Sequence, residues 1–110
     1  MTSEPTCSRF YGRRKGRPLR KGMQALLNDM LPTLRYDAKR LPAAQFESAT
    51  GPQVELALEI GFGGGEHLAD LAEANPKTNF IGAEPFVNGV ASLLRHIQTR
   101  QLSNIRIWDD

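Results

Sequence analysis

Cysteine is nearly absent from this sequence: Cys7 stands alone among 110 residues. A lone thiol makes neither an internal disulfide nor a zinc site, and it points to a reducing, cytoplasmic compartment. Long apolar runs are missing too. Nothing approaches the roughly 18 apolar residues that span a bilayer, so no membrane partner is expected. No apolar leader core follows Met1, and a secretory signal is not expected. The Arg-rich start shares its composition with mitochondrial presequences, but Gly12, Gly16 and Pro18 work against the amphipathic helix such a leader needs. Internal repeats and low-complexity segments are absent. What remains is an ordinary soluble composition, 40% apolar and 24% charged, at a length that bounds the chain at one modest domain. A monomer is expected.

The net charge of +2 hides two opposite halves. Residues 1–50 hold ten Lys/Arg against four Asp/Glu, and residues 51–110 hold four against eight. Seven cations, Arg9, Arg13, Arg14, Lys15, Arg17, Arg20 and Lys21, fall within thirteen residues that contain no acid. Phe10, Tyr11, Gly12, Gly16 and Pro18 are interleaved with them. Like charges repel, and Gly and Pro break helix and strand, so residues 1–21 read as a flexible basic arm. Such arms follow phosphate backbones, and their aromatic and Arg side chains stack on exposed bases. The alternative is a solvated tail with no partner.

From Gly22 the pattern becomes periodic. Met23, Leu26, Leu27, Met30 and Leu31 mark one face of a helix that Pro32 should end, and this face should pack on the following domain. Residues 33–53 read as a linker with weak structure, completing a segment 22–53. Three strands and two helices then alternate through a third segment, 54–110. Val54–Ile60 reads as a buried strand, Gly63–Ala74 as a helix stopped by Asn75-Pro76, and Asn79–Glu84 as a second strand. Val87–Arg100 is a helix with Val90, Leu93, Leu94 and Ile97 as its apolar stripe, and Asn104–Trp108 is a third strand. Crossovers through helices of this length require parallel pairing, so this is half of a doubly wound α/β sheet.

The chemistry concentrates in Leu58–Leu68, LEIGFGGGEHL, where the first strand turns into the first helix. Gly61 and Gly63 allow a sharp turn and close approach of a ligand, and ligands of open α/β sheets bind at this end. A dinucleotide fingerprint would place Glu66 at its third glycine, and a carboxylate there repels a pyrophosphate. The acid-x-G-x-G-x-G pattern is matched throughout by Glu59, Gly61, Gly63 and Gly65. It resembles motif I of class I methyltransferases, which bind S-adenosylmethionine. That cofactor carries an ammonium and a sulfonium, and Glu59 suits the ammonium end. Glu84 closes the second strand, 21 residues after Gly63, where an acid accepts hydrogen bonds from ribose hydroxyls. In the methyltransferases that this pattern resembles, an acid near the end of the third strand reads the adenine amino group, which implies that role for Asp109, Asp110 or the residue after them, following Trp108. His67 and His96 read as surface residues, and Phe62 and Trp108 as packing.

The basic segment Phe10–Arg20, LEIGFGGGEHL and FIGAEPFVNGVASLL (Phe80–Leu94) together resemble the bacterial tRNA (guanine-N(7)-)-methyltransferase family, along nearly the whole chain from Phe10. The resemblance implies a Rossmann-like class I methyltransferase fold, of which this is the N-terminal half with strand order 3-2-1. It implies methyl transfer from S-adenosylmethionine to N7 of a guanine in the tRNA variable loop. Cofactor contacts are carried over to Glu59 and Glu84, with Gly61 and Gly63 in the turn; the family's third cofactor acid falls at or just after Asp110. Arg13, Arg14, Lys15, Arg17 and Arg20 are the expected RNA contacts, and no metal is expected. The family's catalytic acid follows a fourth strand, so it is expected beyond Asp110. By the same order Val54–Ile60 is central in the whole enzyme, and its outer edge is expected to be open here. Two other readings remain: a class I methyltransferase with a small-molecule or protein substrate, and a non-catalytic RNA-binding module.

Overall fold

The computed structural model describes residues 18–46 and 54–110. Two short helices come first, α1 (Lys21–Asp29) and α2 (Leu31–Leu34), then a 3-10 turn at Pro42–Gln45. The α/β unit follows as β1 (Glu55–Ile60), α3 (Glu66–Ala74), β2 (Thr78–Ala83), α4 (Val87–Arg100) and β3 (Ile105–Trp108). The three strands are parallel, with β2 in the middle, which is the expected 3-2-1 order.

The register sorts the side chains between two faces, because parallel partners share a face and successive residues alternate. Ala57, Phe80 and Ile105 share one face, and Gly82 and Ile107 continue it. Helices α3 and α4 seal this face with Leu68, Ala69, Ala72, Val90, Leu93, Leu94 and Ile97, all buried in the core. The apolar stripe expected on α4 is therefore the observed one. On α3, Leu68, Ala69 and Ala72 are buried, and Leu71 is only partly so.

The opposite face is covered unevenly. Over β3, Phe46 lies 5.0 Å from the guanidinium of buried Arg106. Over β1 nothing among the described residues covers the face: Leu56, Leu58 and Ile60 are 50%, 59% and 77% exposed. The sequence pattern suggested a buried strand, and this is a correction. An apolar run shows that a strand can be buried, not that its neighbours are present. The open outer edge expected of β1 is observed, since among the described residues β1 pairs only with β2.

Three boundaries also move. Pro32 does not simply end helical structure: α1 stops at Asp29, and Pro32 sits in the first turn of α2, where its missing N–H costs nothing. The basic segment reaches one residue into α1, at Lys21. The helix expected from Gly63 begins at Glu66, because Gly63 and Gly65 have φ of 62° and 84° and cannot start a right-handed helix. The segment read as a linker is also more ordered than expected through Phe46. Tyr36 N–H donates to Ile107 O at 2.7 Å, and Gln45 donates to Asp37 O and Arg40 O. Residues 47–53 lie outside the described residues.

The amphipathic face of α1 packs against α4, as expected, with Leu26, Leu27 and Met30 partly buried and Leu31 at the start of α2 fully so. At the far end, Arg100 of α4 binds Asp70 at 2.7 Å and Glu73 at 3.2 Å on α3. Hydrogen bonding to Asp70 is the main reason its pKa rises above the ordinary arginine value.

Candidate functional site

The carboxyl ends of the strands carry the predicted residues. The ladder between β1 and β2 continues one step past Ile60, with Gly61 N–H donating to Ala83 O at 2.7 Å. The chain then turns through Phe62–Gly65, closed by Gly65 N–H to Phe62 O at 3.0 Å. Gly61, Gly63 and Gly65 all adopt positive φ, at 71°, 62° and 84°. Side chains at these positions would be strained, which explains alternate glycines in the turn.

The three glycines differ in what surrounds them. A Cβ on Gly65 would strike Leu93 at 2.7 Å, so that glycine serves helix packing. A Cβ on Gly61 or Gly63 would meet nothing within 4 Å. Those two backbones border open space, the condition for a ligand to lie directly on them. Two further glycines were not singled out from sequence. Gly82 lets Phe62 and Leu68 pack on β2, and Gly89 lets the first turn of α4 rest on the Gly63 carbonyl. Their roles depend on partners distant in sequence, and spacing carries no signal for that.

Glu84 joins the turn to the rest of the sheet. Its backbone N–H donates to Trp108 O at 2.9 Å, tying it to the end of β3. Its Oε1 accepts from Gly63 N–H at 2.9 Å, and its Oε2 accepts from Phe86 N–H at 3.2 Å. The carboxylate is thus fixed in orientation, with one N–H on each oxygen. An ionised carboxylate offers about four acceptor positions, so each oxygen retains capacity for a ligand hydroxyl. Phe86 N–H is the second anchor, and it was not foreseen.

Glu59 lies in register with Gly82, partly buried on the helix-covered face, two residues before the turn. Asp109 is ion-paired: Arg35 Nε and one terminal nitrogen donate to its two oxygens, both at 2.9 Å. These hydrogen bonds are the leading reason that the Arg35 pKa lies above its ordinary value, with desolvation opposing and charge attraction adding. Asp110 is exposed and lines a cavity of about 470 Å³ with Tyr36, Lys39 and Trp108, on the outer side of β3. The structure therefore brings Gly63 and Glu84 into contact and keeps Glu59 and Asp110 on either side of them. Trp108 is 42% exposed, with its ring 6.2 Å from that of Tyr36, so it is less a packing residue than Phe62, which is buried. His67 is exposed and His96 half-buried, near the surface positions expected. Arg20 is exposed at the start of α1, while Arg13, Arg14, Lys15 and Arg17 lie outside the described residues, as does Cys7. Among the described residues no group of side chains could hold a metal ion, and no helix is long and apolar enough to cross a membrane.

A parallel α/β sheet with a glycine turn after its first strand and an acid latched to that turn defines a partial Rossmann-like unit. Residues 53–110 match the family model described as "Putative methyltransferase", which is more than half of the chain, and the chain belongs to that family. It is 48% identical over 102 residues to a tRNA (guanine-N(7)-)-methyltransferase of Agrobacterium fabrum, covering 92% of this chain and 44% of that protein. A protein of the same name from Rhodopseudomonas palustris (strain BisA53) is 49% identical over 100 residues, covering 90% and 40%. A third, from Caulobacter vibrioides, is 48% identical over 103 residues, covering 92% and 43%. The chain thus spans less than half the length of these relatives.

Proposed function

We propose that this chain is the cofactor-binding portion of an enzyme that transfers a methyl group from S-adenosylmethionine to N7 of a guanine in tRNA. The observation that carries the reading is the Glu84 carboxylate fastened to Gly63 N–H at 2.9 Å, beside a glycine backbone that borders open space. The names of the relatives supply the methyl-acceptor, and the basic segment Arg9–Lys21 suits an RNA partner.

The donor set fits such a cofactor. Gly61 and Gly63 leave room for a ligand against the backbone, and a carboxylate with free acceptor capacity stands where a ribose would present two hydroxyls. Glu59 would attract the ammonium of the methionine portion, and Asp110, the acid that Arg35 leaves free, would accept from the adenine amino group. When bound, the cofactor supplies a methyl group activated by its sulfonium. Because Gly63 N–H and Phe86 N–H hold Glu84 in one orientation, the carboxylate is prepared before the ligand arrives, and little ordering is left for binding. Guanine N7 already has an in-plane lone pair, so no base is needed to deprotonate it. Holding N7 in line with the methyl–sulfur bond is the main catalytic task, and positioning dominates the rate. No residue of this chain is assigned a catalytic role.

We place the protein in the cytoplasm as a monomer acting on tRNA. The test is transfer of tritium from labelled S-adenosylmethionine to tRNA by the whole protein, followed by nucleoside analysis. The expected product is 7-methylguanosine. Label in another nucleoside, or in protein alone, overturns the substrate assignment.

A further inference from the structure

We propose that the groove between α1 and α4 is a binding site for RNA phosphates, with Arg20 and Arg95 as its two cationic contacts. This goes beyond the basic arm as the RNA-binding element, and it rests on the tRNA reading above. The groove encloses about 460 Å³, and its lining includes Arg20, Met23, Leu26 and Asp29 from the α1 side and Arg95 and Gln98 from α4. Arg20 and Lys21 close the run of residues 9–21, which holds seven cations and no acid. Arg95 comes from the other half of the chain, which carries eight acids against four cations.

The fates of those four cations single out Arg95. Arg100 is taken by Asp70 and Glu73, and Arg106 is buried against Phe46. Lys77 is exposed away from the groove, just before β2. Arg95 is exposed, has no ion-pair partner among the described residues, and faces the groove that Arg20 also lines. The packing of α1 on α4 thus sets a guanidinium from the acidic half beside the last cations of the basic segment. Asp29 is the single acid of the lining, so the two guanidinium groups leave the groove net positive. Arginine side chains bind phosphate oxygens through paired donors, and Gln98 adds a neutral donor. A backbone that follows the basic segment therefore meets a further cation where that segment ends, and the contact carries no base specificity.

The test is equilibrium binding of a labelled, unmodified tRNA transcript to the chain without cofactor, titrated across about 50–200 mM salt. Arg95→Ala is expected to weaken binding several-fold at the lower salt and to reduce the slope of log K against log salt by about 1. Arg95→Lys should keep the wild-type slope, because the charge remains, and Lys77→Ala should behave like the wild type. Thermal melting of the Arg95 variants checks that they fold. Wild-type affinity and slope in folded Arg95→Ala overturns the groove while leaving the tRNA reading in place. If the wild-type chain itself shows no salt-dependent binding, both are overturned.

Discussion

At the amino end of the sheet Asn104 commits its side-chain amide to three carbonyls, Ala72 O and Asn75 O at 3.0 Å and Thr78 O at 2.9 Å. At the carboxyl end Glu84 accepts one N–H on each oxygen and keeps acceptor capacity in reserve. Both residues tie a loop to a strand end. Asn104 is buried and its donors are fully engaged, whereas Glu84 is only half-buried beside glycines that border open space. The amino end is closed by hydrogen bonds that leave the Asn104 amide no donor to spare. The carboxyl end is held in shape by a carboxylate with acceptor positions left over, which is what the proposed site requires.

Variants can sharpen this contrast. The largest effect is expected in the core that both ends share. Leu93→Ala removes a fully buried side chain that packs on Gly65, and it should cost about 2–5 kcal/mol in denaturant unfolding. Asn104→Ala leaves buried carbonyls without a donor and should cost about 1–3 kcal/mol. Gly63→Ala should lose about 1–2 kcal/mol, from the positive φ alone, since its methyl meets nothing in the free protein. Its effect on cofactor affinity should be larger than its effect on stability, because the methyl enters the space assigned to the ligand. Arg35→Ala breaks a half-exposed pair with Asp109 and should change the unfolding free energy by less than about 1 kcal/mol. If Asn104→Ala lowers cofactor affinity as much as Gly63→Ala does, the separation of the two ends is wrong.

Much of this architecture is legible in the residues. The stripe Val90, Leu93, Leu94 and Ile97 is buried as its spacing suggests, and α4 has the expected limits. The glycine turn and the place of Glu84 at the end of β2 are legible from type and spacing, because a left-handed turn and a strand-end acid each leave a local mark. What was illegible depends on distant partners. Gly82 and Gly89 look like any helix- or strand-weakening glycine until Phe62, Leu68 and Gly63 are seen against them. The exposure of Leu56, Leu58 and Ile60 on β1 is hidden for the same reason, since they read as core wherever a covering layer exists. The sequence leaves the choice among Asp109, Asp110 and the residue after them open, and the pairing of Asp109 with Arg35, 74 residues before it, is a contact that no local pattern shows.

The most direct measurement is calorimetric titration of S-adenosylhomocysteine into the wild-type chain, Glu84→Ala and Asn104→Ala. Loss of hydrogen bonds to a charged group predicts affinity about 10- to 100-fold weaker in Glu84→Ala. Asn104→Ala should bind like the wild type at a temperature where it is folded, despite a lower melting point. Wild-type affinity in Glu84→Ala, or no binding to the folded wild-type chain, would contradict the assignment of the carboxyl end as a cofactor site.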